Sequence, residues 1–148
     1  MDPRYYATVL AHAREHGFRG FGGYCGKAAI AINRVLFDSK GKLVGALNKA
    51  FLVHGRAIGH VAVRYQGAFW DSDGKRKTID EVESWGMLDA SDSDYIEGAE
   101  ALGFALDDTA ADDVEIVMFD NEAEVMQHFD DGDLAHMERV LQAAKARV

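Results

Sequence analysis

Apolar positions recur at helical spacing at both ends of the chain and at alternate positions in its middle. Tyr6, Val9, Leu10 and Ala13 fall on one stripe, which predicts a short helix over residues 5–16 ended by Gly17. From Gly26 to Phe37 the residues are good helix formers and apolar nearly all round, so this second helix should be buried. Ser39-Lys40-Gly41-Lys42 reads as a turn, and Leu43 to Val53 as a strand or bent strand pair. Val61, Val63 and Tyr65 alternate with Ala62 and Arg64, a period of two. Gln66-Gly67 can close a tight turn, with Ala68 to Ser72 returning antiparallel and Asp73-Gly74-Lys75 turning again.

Thr78-Ile79-Asp80-Glu81 has the spacing of a capping box and opens a short helix towards Trp85. Residues 89–113 are rich in Asp, Ser and Gly and read as loop with one short helix over residues 95–102. Val114 to Phe119 reads as a strand. Asn121 and Asp133 are suited to cap two closing helices, Glu122–Phe129 and Leu134–Ala146. Helices, then antiparallel strands, then helices predict an α+β chain. Its 148 residues, 48 % apolar, fit a single domain (1–148) with a substantial core.

In the predicted hairpin, a two-residue loop at Gln66-Gly67 sets Tyr65 opposite Ala68, His60 opposite Asp73 and Ala62 opposite Asp71. His60, Ala62, Arg64, Phe69, Asp71 and Asp73 then share one face. A carboxylate diagonal to His60 can hold its ring and fix its tautomer. Asp71, inside the strand, is the choice over Asp73, which begins the next turn. A register slip of one residue would carry the carboxylate off the histidine's face.

Cys25 is the only cysteine and stands just before the second helix, in Gly22-Gly23-Tyr24-Cys25-Gly26-Lys27. Helix N-terminal N–H groups and a nearby imidazolium both favour a thiolate. Gly26 would leave room for a substrate backbone. The competing reading is a small residue filling core space.

The order of these segments, Gly23-Tyr24-Cys25-Gly26, then Gly59-His60-Val61-Ala62-Val63, then Phe69-Trp70-Asp71-Ser72-Asp73-Gly74, resembles the papain-like cysteine hydrolases, including transglutaminase-like and NlpC/P60-like proteins. The likeness covers roughly residues 20–74. It implies a papain-like fold with N-terminal helices on an antiparallel sheet, Cys25 as nucleophile, His60 as general base and acid, and Asp71 as orienter. It also implies a peptide or protein substrate with an amide bond. Where many papain-like peptidases carry a glutamine six residues before the cysteine, this chain has Arg19, so Arg19, Tyr24 or His16 would have to donate to an oxyanion.

Charge adds a second possibility. Residues 1–70 carry 10 Lys and Arg against 3 Asp and Glu, +7, and residues 71–148 carry 6 against 22, −16. An acidic half of this kind would suit a basic protein partner through Asp107-Asp108 and Asp112-Asp113, as in a non-enzymatic binding or inhibitor protein. Direct nucleic-acid binding by that half is disfavoured, since phosphates call for Lys and Arg. No phosphate-binding glycine motif occurs, and no cofactor or metal is expected. His12 and His16 have helical metal spacing but no third ligand. No secretory signal or membrane span is visible, and a single cysteine cannot form an internal disulfide, so a cytoplasmic protein is expected.

Overall fold

The computed structural model describes residues 1–20, 22–48, 58–84 and 114–148. Within them α1 is Pro3–Glu15, a 3-10 turn at Gly22–Tyr24 leads into α2 (Cys25–Leu36), and three strands follow, β1 (Lys42–Asn48), β2 (Ile58–Tyr65) and β3 (Ala68–Trp70). Then come β4 (Arg76–Lys77), α3 (Ile79–Ser84), β5 (Val114–Met118), α4 (Glu122–His128) and α5 (Leu134–Ala146). The strands form one antiparallel sheet in the order β4-β3-β2-β1-β5. The chain is α+β, with helices packed on that sheet. The predicted continuation of β1 to Val53 and the loop and helix expected within residues 89–113 lie outside the described residues.

Local chemistry explains the boundaries. Asp2 caps α1 by accepting from the Arg4 N–H at 2.7 Å, with Pro3 pre-set in the first turn. The capping box before α3 closes both ways, Thr78 N–H to Glu81 Oε1 at 3.2 Å and Glu81 N–H to Thr78 Oγ1 at 3.4 Å. Asn121 and Asp133 cap α4 and α5 through the N–H groups of Glu124 and His136. Gln66 and Gly67 both have positive φ, +51° and +73°, the geometry of a two-residue turn that matches strand twist.

The sheet is covered on both faces. On one, α1, α2, α4 and α5 pack over Leu43, Val61, Val63, Ala68 and Trp70. The stripe Tyr6, Val9, Leu10 and Ala13 is buried there, and Tyr6 meets Trp70 edge-on with ring centroids 4.9 Å apart. On the other face, Val82 of α3 covers Val44, Ala46, Ala62, Phe69 and Ile116. Arg34 of α2 forks onto both Glu122 oxygens at 2.8 and 2.6 Å and reaches Glu138 at 2.6 Å, tying α2 to α4 and α5. Among the described residues no helix is long and apolar enough to cross a membrane.

Candidate active site

The hairpin has the register that its turn predicts: Tyr65 pairs with Ala68, Arg64 with Phe69, and Val63 with Trp70. That register sets Asp71 diagonal to His60. The His60 Nε2 stands 2.9 Å from Asp71 Oδ2, and the two residues are 3 % and 1 % exposed. Asp71, not Asp73, therefore holds the imidazole. The Asp73 N–H donates to Asp71 Oδ1 at 3.2 Å, and the Tyr6 hydroxyl donates to the Asp71 carbonyl at 2.5 Å.

Lys77 completes this polar cluster. It faces Phe69 across the β3–β4 ladder, so its side chain shares the face of Asp71. Its Nζ lies 3.7 Å from Asp71 Oδ2 and 2.5 Å from Asp73 Oδ2. Burial pushes the Asp71 carboxyl above the usual aspartate range, and the His60 hydrogen bond works against that rise. Asp73 goes the other way. Burial would raise it, but hydrogen bonds from Asp71, Lys77 and the Lys75 N–H hold it below its ordinary value. The only sequence signal for Lys77 is its spacing of four from Asp73, in a stretch that reads only as a turn.

Cys25 is the first residue of α2 and is 2 % exposed. β3 ends at Trp70, so the Val61 N–H on that edge of β2 has no ladder partner opposite it and donates to the Cys25 sulfur instead. The Cys25 and Gly26 N–H groups also point at the sulfur, as expected at a helix N-terminus. Burial outweighs all three donors and pushes the thiol up to about 11 from 9.0, with Asp71 adding to the rise. That rise works against the thiolate expected from the helix position.

Strand alternation turns His60 with Ala62 towards the α3 side of the sheet, and Val61 with Val63 towards α2. The thiol thus meets β2 at Val61, and the imidazole projects from the adjacent residue towards the α3 face. Gly26 does not leave space for a substrate. A Cβ there would lie 2.6 Å from Phe129 Cβ and 3.0 Å from Val125 Cγ1, so the glycine serves the close approach of the chain around α4.

The glycine-rich loop before Cys25 is pinned to the end of β3. Ser72 Oγ donates to the Gly20 carbonyl at 3.0 Å, and a Cβ on Gly20 would overlap Ser72 Cβ at 1.9 Å. Arg19 lies in this loop with its guanidinium 5.9 Å from the Tyr24 ring centroid, a cation–π distance. Among the described residues no group of three or more His, Cys, Asp or Glu is placed to hold a metal ion. The acidic positions Asp107, Asp108, Asp112 and Asp113 lie outside the described residues. Compared with protein-family models, with curated proteins and with solved structures, the chain finds no match.

Proposed function

We propose that this chain is a small cysteine hydrolase or acyltransferase acting on an amide bond, with Cys25 as nucleophile, His60 as general base and acid, and Asp71 as orienter. The observation that carries the reading is the buried His60–Asp71 pair at 2.9 Å, one residue along β2 from the N–H that binds the Cys25 sulfur. The papain-like arrangement is the fold reading that accords with this order of elements. Its substrate would be a peptide or protein amide. A cytoplasmic location belongs to the same reading, because a lone catalytic thiol is kept reduced there.

A thiol held near 11 does not attack as a preformed thiolate at neutral pH. The proton passes from sulfur to the imidazole as the sulfur–carbonyl bond forms, much as a serine hydrolase works. Asp71 engages Nε2 and so fixes the orientation of the imidazole. The Cys25 N–H, which points at the sulfur in the resting protein, would turn to the oxyanion as the sulfur bonds to carbon. Collapse of the tetrahedral intermediate returns that proton to the departing amine and leaves a thioester. Water or a second amine then releases the acyl group, which gives hydrolysis or transfer.

Alkylation kinetics test the pair before any substrate is known. Iodoacetamide should label Cys25 in the folded protein at pH 7, and His60→Ala should slow labelling by about 10²–10⁴-fold if the imidazole takes the proton. Asp71→Asn should slow it less while the fold persists by circular dichroism. Labelling that occurs only after unfolding, or at equal rates with and without the imidazole, would remove the nucleophile from this reading.

A further inference from the structure

A cleft of about 330 Å³ is lined by Arg14, Phe18, Arg19, Gly20, Tyr24 and Ser72. Two of these, Tyr24 and Ser72, are the chain neighbours of Cys25 and Asp71. Two of its walls are aromatic and two carry guanidinium groups. None of these lining side chains is acidic.

We propose that this cleft is the substrate-binding subsite and that it takes a carboxylate-bearing group of the amide substrate, either an acidic side chain or a free C-terminus. The proposal rests on the thiol reading and specifies its substrate class. Arg14 spends one N–H on the Ser72 carbonyl at 3.2 Å, which aims the guanidinium along the cleft wall. Arg19 stacks on Tyr24 and leaves its fork of donors at the rim. Among the described residues no salt bridge ties up either arginine. Guanidinium forks match carboxylate geometry, and the rings of Phe18 and Tyr24 can cover the methylenes of an acidic side chain.

The test is an NMR titration of Cys25→Ala protein, in which no acyl transfer can occur. Three probes separate the sources: N-acetyl-glutamate amide (side-chain carboxylate), N-acetyl-glutamine (terminal carboxylate) and N-acetyl-glutamine amide (neutral). One charged probe should bind about tenfold more tightly than the neutral one and shift the amides of Arg19, Gly20 and Tyr24. Adding Arg14→Gln or Arg19→Gln to the same protein should each erase most of that preference, and Arg19→Lys should restore part of it. Equal binding of charged and neutral probes, no saturable shift with any probe, or unchanged affinity in both arginine variants overturns the proposal. Such a failure is separate from that of the thiol reading. Binding here needs no sulfur, and alkylation of Cys25 needs no occupied cleft.

Discussion

Asp71 and Cys25 are almost equally buried, at 1 % and 2 % exposed, and burial raises both, yet their surroundings offset that penalty with different groups. Asp71 has an imidazole, the Asp73 N–H and the Lys77 ammonium around its two oxygens. Cys25 has backbone N–H groups as its donors among the described residues, and it belongs to an apolar cluster with Ala28, Ala29 and Val61. Burial is thus not one condition. What decides the ionisation of an enclosed group is the set of charged donors enclosed with it.

The sharpest way to break this contrast is to delete each group. Asp71→Ala takes the carboxylate away from the buried His60 ring while Lys77 keeps Asp73, and it should cost about 3–5 kcal/mol in urea unfolding at pH 7. Cys25→Ala removes only a small packed atom and should cost about 1 kcal/mol. Similar costs for the two would mean that the polar cluster contributes no more than packing does.

Alkaline titration sharpens it from the thiol's side. The native thiol keeps its proton to about 11, while the unfolded chain releases it near 9.0, so wild-type stability falls as pH rises between those values. The thiol's share of that loss is about 2–3 kcal/mol, at 1.36 kcal/mol per pH unit. Cys25→Ala lacks it, and the stability difference between the two proteins should shift by that amount from pH 8 to pH 11.5. Parallel curves would mean that the sulfur is less enclosed than its packing indicates.

A smaller effect probes how tightly the thiol side is packed. Gly26→Ala forces a Cβ to within 2.6 Å of Phe129 Cβ and should cost about 1–3 kcal/mol by thermal melting, despite alanine's better helix propensity. A stabilised variant would mean that Phe129 yields freely.

The same contrast marks what could be read from the residues. Gln66-Gly67 reveal the hairpin register, because turn length and positive φ dictate which residues oppose, and the His60–Asp71 pair follows from that. The capping residues Asn121 and Asp133 mark the starts of α4 and α5 for an equally local reason. Whatever depends on distant segments was illegible. Nothing near Gly26 indicates that Phe129 fills the space beside it, and no spacing rule tells how much water the fold strips from Cys25. Lys77 escaped notice because a two-residue strand has no periodicity to show which way its side chain points.

The hairpin also bears on how the constellation assembles. His60 and Asp71 are 11 residues apart, whereas Cys25 and His60 are 35 apart. Closing the longer span forfeits about 1 kcal/mol more chain entropy, since that penalty grows with the logarithm of length. The acid–base couple is therefore the part of the constellation that costs the chain less entropy to close, and the sulfur is the part that costs more.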